Sequence, residues 1–155
     1  MDIRLKHITA AAAIQSPTPY TVVDCGCDHG KVLKYLLTQN SDCRAIAIDQ
    51  SAPSLNKARI ALSEFGGRVQ FYCASGISCL GNSHYSRLII SGMGGHNIIG
   101  ILSQSQAKFG RLILSPHRDA QLLRGWLADN GYSIDQEQTI LCKGKTYIIL
   151  EAVNL

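Results

Sequence analysis

Residues 20–37 decide the fold, and they read YTVVDCGCDHGKVLKYLL. The β-branched run Tyr20 to Asp24 predicts a short strand, and the glycines that follow it predict a loop. The apolar spacing from Lys31 to Leu37 then predicts a helix. A strand, a turn and a helix in this order are the repeating unit of an open α/β sheet.

The same alternation continues along the chain. Further strands are predicted at 44–48, 69–73, 87–91 and 111–115, and further helices at 52–65, 98–105 and 120–130. The run Leu88-Ile89-Ile90 has no polar face, as in parallel strands covered by helices on both sides. Two β-rich runs, 133–141 and 146–153, are separated by only four residues, which predicts a closing antiparallel hairpin. We therefore predict a doubly wound, seven-stranded, mostly parallel sheet with helices on both faces.

Composition limits the class of protein. With 155 residues, 46% apolar and 17% charged, the chain predicts one compact domain, residues 1–155. A net charge of +4 permits a polyanionic partner without resembling a basic tail. No apolar run approaches the roughly 20 residues of a membrane span.

The N-terminus has two interpretations. The short stretch from Ile8 to Ile14 is at the lower limit for the apolar core of a secretory signal. The favoured interpretation is an opening helix with Ile3, Ile8 and Ala11 or Ala12 on one face, ended by Ser16-Pro17-Thr18-Pro19. This predicts a cytoplasmic protein.

The six cysteines fit no metal or disulfide pattern. Cys25, Cys73 and Cys79 lie in or beside apolar or glycine-rich stretches, where cysteine commonly serves as a small hydrophobe. We predict structural thiols in a reducing compartment and no metal site.

Two aspartates flank the loop after the first strand, which reads Asp24-Cys25-Gly26-Cys27-Asp28-His29-Gly30. Ligands of open α/β sheets bind at this end of the strands. A dinucleotide site needs free N–H groups facing a pyrophosphate, and carboxylates there would repel it by on the order of several kcal/mol. A nicotinamide oxidoreductase is therefore the least favoured enzyme class. S-adenosylmethionine carries a sulfonium, an ammonium and no phosphate, so it suits an acidic loop.

Structural roles remain alternatives for these acids. Asp24 could cap a turn, and Asp28 or His29 could cap the following helix. Asp49 ends the second strand near the position where an acid receives ribose hydroxyls in Rossmann-like sites. Its alternative is to cap the helix that begins near Pro53.

A second glycine-rich turn, Gly92-Met93-Gly94-Gly95-His96-Asn97, follows the fourth strand. Its glycines would let a flat ligand approach the backbone, and Met93 offers a soft apolar surface. A tight turn dictated by packing explains the glycines equally well.

Together these segments resemble the TrmK family of bacterial tRNA (adenine-N1)-methyltransferases, which act at adenine 22 of tRNA. The resemblance spans about Leu5 to Glu151. It is carried by Asp24-x-Gly26-x-Asp28-His29, Asp49, Gly92-Met93-Gly94-Gly95, Leu112-Ile113-Leu114-x-Pro116, Leu123-Arg124-x-Trp126-Leu127, Gly131-Tyr132 and Lys145-x-Tyr147.

The resemblance implies a Rossmann-like class I methyltransferase fold, S-adenosylmethionine as donor and tRNA as acceptor. It implies a catalytic role for Asp28 and for Gly92, Met93, Gly94 and Gly95 around the acceptor base. The cofactor would be bound by Asp24, Gly26, Asp28, His29, Gly30, Asp49, Gln50, Ser75 and Gly76. Phosphate contacts are predicted at Arg118, Arg124, Lys143 and Lys145.

Three departures from the family qualify this expectation. Ser75 stands where the family has an acid, His117 stands where it has asparagine, and the family's C-terminal coiled-coil extension is missing from this sequence. A methyltransferase acting on another RNA or a small molecule, and a non-catalytic module that binds the cofactor or RNA, remain alternatives. The histidines His29, His96 and His117 could carry protons, but loop histidines more often serve as hydrogen-bond partners.

Overall fold

The computed structural model describes residues 2–14 and 18–155. Over this part of the chain the helices are α1 (Ile3–Ala12), α2 (Lys31–Gln39), α3 (Ala52–Ala61), α4 (Gly95–Ser103) and α5 (Ala120–Asp129). The strands are β1 (Tyr20–Cys25), β2 (Cys43–Asp49), β3 (Val69–Cys73), β4 (His84–Met93), β5 (Lys108–Pro116), β6 (Tyr132–Cys142) and β7 (Lys145–Asn154). Short 3-10 helices cover Ser63–Arg68 and Ser78–Leu80.

The strands form one seven-stranded sheet in the order β3-β2-β1-β4-β5-β7-β6. The first five strands are parallel, and β7 runs antiparallel to both β5 and β6. The predicted sheet and its closing hairpin are confirmed. Because the chain returns to the middle of the sheet after β3, the strand order reverses between β1 and β4, where a crevice for ligands opens.

Helices cover both faces, as predicted. On one face α1, α2 and α3 contribute Ile8, Leu33 and Leu55 to a core that includes Val22 of β1. On the other face α4 and α5 contribute Ile98 and Leu123 to a second core. Alternate residues of each central strand enter the two cores, which is why these strands read as continuous apolar runs.

The edges of several elements differ from the prediction. Helix α4 begins three residues early, at Gly95, and the helix predicted to reach residue 65 ends at Ala61 before a 3-10 segment. The N-terminal helix is capped by the Asp2 side chain, which accepts from the Leu5 N–H at 2.9 Å. Such capping bonds compete with apolar periodicity in setting where a helix begins.

The face predicted for α1 is only partly right. Ile8 and Ala12 are fully buried, but Ile3 is 47% exposed and Thr9 takes a buried position. Thr9 is tolerated there because its hydroxyl donates to the Lys6 carbonyl at 2.8 Å. Ser16 and Pro17 of the predicted helix stop lie outside the described residues. No helix in the described part of the chain is long and apolar enough to cross a membrane.

The prediction of buried thiols holds for Cys25 and fails for Cys73 and Cys79, which are exposed. Cys73 ends the edge strand β3, where no further strand covers it, and Cys79 lies in the 3-10 helix Ser78–Leu80 that follows. Burial raises the pKa of Cys25 to about 12, so this thiol stays protonated.

Candidate functional site

A cavity of about 790 Å³ opens at the carboxyl ends of β1, β2 and β4. Its volume is within the range of small-molecule sites. Most of the predicted cofactor residues line it, together with the start of the second glycine-rich turn. The predicted residues in its wall are Asp24, Gly26, Asp28, His29, Asp49, Gln50, Ser75, Gly92 and Met93.

The first loop is tied to the end of β2 by three backbone donors, from Gly26, Cys27 and Asp28. The N–H groups of Gly26 and Cys27 donate to the Ile48 carbonyl at 2.8 and 2.9 Å. The Asp49 carboxylate accepts from the Asp28 N–H at 2.9 Å and from the Ser51 N–H at 2.8 Å. Asp49 therefore braces the loop, and helix α3 is capped by Ser51 instead. The alternative that Asp49 caps this helix is wrong.

Asp24 is the buried acid of the site, with 4% of its surface exposed. Its pKa is raised to about 7, mainly by burial and in addition by the nearby carboxylates of Asp49 and Asp28. A carboxyl group with this pKa is about half ionised at neutral pH, and a cation bound beside it favours the ionised form. A ligand cation would therefore relieve the repulsion among these three carboxylates.

Asp28 lies at the open side of the cavity, with 74% of its side chain exposed. Its backbone has φ +52°, a left-handed conformation that aspartate tolerates better than most residues. The His29 Nε2 lies 3.4 Å from its Oδ1. Helix α2 begins after Gly30, which has φ +79° and no side-chain cap. Neither Asp28 nor His29 caps this helix, so that alternative is also wrong.

The two glycines of the first loop, Gly26 and Gly30, leave room for different neighbours. A Cβ on Gly26, which has φ +85°, would lie 2.8 Å from the Met93 Cε. Met93 therefore lies across this loop and links it to the second turn. Gly30 does not line the cavity; a Cβ there would contact Leu62 at 3.2 Å. Gly76 also lies outside the wall, beside Ile101.

The second glycine-rich turn divides into two parts. Gly92, with φ +75°, occupies an irregularity in the pairing of β4 with β5 and lines the cavity together with Met93. Gly94 and Gly95 do not line it, because they pack on the loop after β5. The Gly95 N–H donates to the Arg118 carbonyl at 2.9 Å, and a Cβ on Gly95 would lie 2.3 Å from the Asp119 carbonyl oxygen. For these two residues the packing interpretation is correct.

Sequence reasoning missed the contribution of α1 and α2. Asp2, Arg4 and Leu5 from the first turn of α1, and Lys31 at the start of α2, line the cavity. No pattern in the sequence joins residues 2–5 to a loop twenty residues later. The exposed histidine of the second turn, His96, also lines the cavity, whereas His117 donates its backbone N–H to the Met93 carbonyl at 3.0 Å.

The predicted phosphate contacts lie outside the cavity wall. Arg118 is exposed beside Gly94, and Lys143 and Lys145 are exposed at the hairpin turn. Arg124 is held by the Glu137 carboxylate and by Gln121 Oε1 at 3.0 Å. Its charge is therefore already neutralised by a neighbour.

The part of the chain described by the structure contains no group of three or more His, Cys, Asp or Glu side chains that could hold a metal ion. Burial raises the pKa of the Cys27 thiol and keeps it protonated.

The strand order and the acid-lined crevice define a Rossmann-like methyltransferase. The antiparallel seventh strand of the sheet fits this class. The first loop also fits it, because it offers carboxylates where a dinucleotide site offers bare N–H groups. The chain belongs to the methyltransferase domain family, whose model matches residues 1–150.

Among curated proteins the chain is similar to the tRNA (adenine(22)-N(1))-methyltransferase of Bacillus subtilis (strain 168), with 26% identity over 156 residues. The match covers 97% of this chain and 66% of that protein. The chain spans about two thirds of the length of the curated relatives it matches.

Solved structures are similar to this chain as well. The Streptococcus pneumoniae protein Sp1610, in complex with S-adenosyl-L-methionine, matches with 26% identity and a TM-score of 0.85, covering 97% of this chain and 72% of that one. The B. subtilis M1A22 tRNA methyltransferase TrmK has the same fold, with a TM-score of 0.87 at 24% identity over 100% of this chain and 67% of that one. The resemblance to the TrmK family stated from the sequence is confirmed.

Proposed function

We propose that this protein transfers a methyl group from S-adenosylmethionine to N1 of an adenine in tRNA. The observation that carries the proposal is the group of three carboxylates, Asp24, Asp28 and Asp49, in the wall of a cavity at the switch point of the sheet. The Sp1610 structure with bound S-adenosyl-L-methionine supports this donor. The B. subtilis relative supports tRNA as acceptor, and a tRNA substrate indicates a cytoplasmic protein.

The residues present fit this donor. Asp24 and Asp28 offer negative charge to a sulfonium and an ammonium group. Both Asp49 oxygens accept one backbone N–H, and each retains a lone pair for a ribose hydroxyl. Gln50 and Ser75, at the ends of β2 and β3, would contact the base of the cofactor. When bound, S-adenosylmethionine supplies an electrophilic methyl group.

The chain's own residues would act mainly by positioning. Adenine N1 has a free lone pair, so the acceptor must be aligned with the methyl group and does not need to be deprotonated. Positive charge passes to the base during transfer, and the Asp28 carboxylate at the open side of the cavity can offset it. Gly92 leaves room for a flat base beside Met93, because no side chain projects from this position.

The test is methyl transfer from tritiated S-adenosylmethionine to bulk tRNA, followed by mass spectrometry of the nucleosides. Wild-type protein should produce 1-methyladenosine. Asp28→Asn removes the charge while keeping a residue that accepts left-handed backbone, and we expect it to lower kcat about tenfold or more. Asp129→Asn, on the exposed end of α5, is the matched control and should behave as wild type.

If the methyl group is found on another nucleoside, the acceptor is not N1 of adenine and the proposed acceptor is wrong. Donor binding without transfer to any RNA would instead favour a non-catalytic module. Ser75, which stands in place of an acid, makes this second outcome worth measuring.

A further inference from the structure

Two basic side chains line the cavity, whose open side also carries the carboxylate of Asp28. Arg4 and Lys31 line the cavity from the first turns of α1 and α2, in a wall that also contains Asp24 and Asp49. The salt bridges of the described residues involve His29, Lys34, Arg111 and Arg124, and neither Arg4 nor Lys31 takes part in one.

These two cations bring no evident benefit to their own helices. The first turn of a helix favours acids and disfavours bases because the helix dipole is positive there. Neither α1 nor α2 has an acid within its first turn, and only α1 has an acidic N-cap, Asp2, to compensate. A base that destabilises the start of its own helix is expected where that base is needed to bind a ligand.

Arg4 is fixed by the hairpin at the far end of the sheet. Its guanidinium lies 5.0 Å from the centre of the Tyr147 ring, within the range of a cation–π contact. Tyr147 is near the start of β7, and Leu150 three residues later pairs with Leu114 of β5. The start of β7 therefore projects beyond the carboxyl end of β5, on the same side as the cavity.

This placement separates Arg4 from the cofactor end of the cavity. Helix α1 packs on α2 and on the strands β4 to β7, whereas Asp49 and Ser75 follow β2 and β3 on the other side of the switch point. An anion bound by Arg4 would thus belong to the acceptor.

We propose that Arg4 and Lys31 bind phosphates of the RNA that presents its base to the cavity, and that Tyr147 positions Arg4 for this contact. The inference rests on the proposed function. From Lys31 the surface continues into a shallow groove that Lys31 shares with the exposed ring of Tyr35, whereas Lys34 in the same groove is paired with Glu64. A lysine beside an exposed aromatic ring suits a single-stranded segment that leaves the mouth along α2.

The test is binding of end-labelled bulk tRNA, measured by fluorescence anisotropy over a range of potassium chloride concentrations. We expect Arg4→Ala and Lys31→Ala each to weaken binding about fivefold to tenfold at low salt and to reduce the salt slope by about one. Arg59→Ala is the matched control, because Arg59 lies 4.9 Å over the Phe71 ring and does not line the cavity. It should bind as wild type.

Two variants test the role of Tyr147. Tyr147→Phe keeps an aromatic face under Arg4 and should retain the affinity for tRNA, whereas Tyr147→Leu removes the face and should weaken binding about twofold to fivefold. In steady-state assays Arg4→Ala should raise KM for tRNA and leave KM for the donor unchanged.

Several results would overturn the inference. If wild-type protein methylates tRNA and Arg4→Ala binds tRNA with the same affinity and salt slope, the mouth is not a phosphate site, while the proposed function stands. If Arg4→Ala weakens only the donor, measured by calorimetry, the cation serves the donor's carboxylate. If wild-type protein neither binds nor methylates tRNA, the proposed function fails and this inference with it.

Discussion

The two glycine-rich turns at the carboxyl edge of the sheet look alike in sequence and differ in structure. The first, residues 24–30, directs its acids into the cavity and is tied to β2 by backbone hydrogen bonds. The second, residues 92–95, gives only Gly92 and Met93 to the cavity and uses Gly94 and Gly95 to pack on the loop after β5. A glycine thus marks close approach, but the approaching group is a side chain at Gly26 and Gly30 of the first turn and backbone at Gly95 of the second. Substitutions in the two turns should therefore fail in different ways.

The largest effect is expected for Asp24→Asn in the first turn. Loss of the buried charge should weaken S-adenosylmethionine binding about a hundredfold at pH 8, because an amide cannot compensate a cation in a buried site. Isothermal titration calorimetry measures this directly. A variant that binds the donor as tightly as wild type would show that Asp24 does not face the cationic part of the ligand.

The same variant should be more stable than wild type without ligand at alkaline pH. The pKa of Asp24 is raised to about 7 in the folded protein, so between about pH 4 and 7 the folded state keeps a proton that the unfolded state has lost. The free energy of unfolding should fall as pH rises through this window, by on the order of a few kcal/mol. Asp24→Asn should not show this fall, which urea unfolding at pH 5 and pH 8 can test.

Gly95→Ala tests the packing role of the second turn. The new Cβ would lie 2.3 Å from the Asp119 carbonyl oxygen, so the loop must move. We expect a loss of about 3 kcal/mol in the free energy of unfolding. Gly125→Ala is the control, since nothing lies within 4 Å of a Cβ at this position of α5, and it should stabilise the protein by up to about 1 kcal/mol. Equal stability of the two variants would contradict the packing assignment.

Gly26→Ala is the corresponding test of the first turn, and its expected loss of stability is smaller. Its φ of +85° disfavours a side chain, but the nearest atom is the mobile end of Met93, so we expect a loss of about 1–2 kcal/mol in stability. Donor affinity should fall about tenfold, because the loop that carries Asp24 and Asp28 shifts. Thermal unfolding with and without donor separates the two effects. A stability loss as large as that of Gly95→Ala would remove the contrast between the turns.

The smallest effect is expected for Arg124→Ala. The charge of Arg124 is neutralised by Glu137, so tRNA affinity should change less than about twofold and stability by less than about 1 kcal/mol. Arg118→Ala is the comparison, because Arg118 is exposed beside the second turn and takes part in none of the salt bridges of the described residues. A larger loss at Arg124 would show that RNA displaces Glu137.

Sequence reasoning was most successful where the signal is local. The strand around Leu88-Ile89-Ile90 is recognisable because burial on both faces demands continuous apolar side chains. The acids of the first loop were found because they follow a strand directly. Reasoning failed where the outcome depends on a distant partner, as for Gly94 and Gly95 or for exposed Cys73 at the edge strand.

The sequence by itself determined the order of strands and helices, the acidic character of the first loop and the family resemblance, because each is written in neighbouring residues. Only the tertiary structure decided that Asp49 braces the first loop, that Arg124 is neutralised, and that Arg4 reaches the cavity with Tyr147 behind it. These contacts join residues far apart along the chain, and their geometry is set by how the sheet twists and how α1 packs across it. Periodicity within a short window carries no information about such distances.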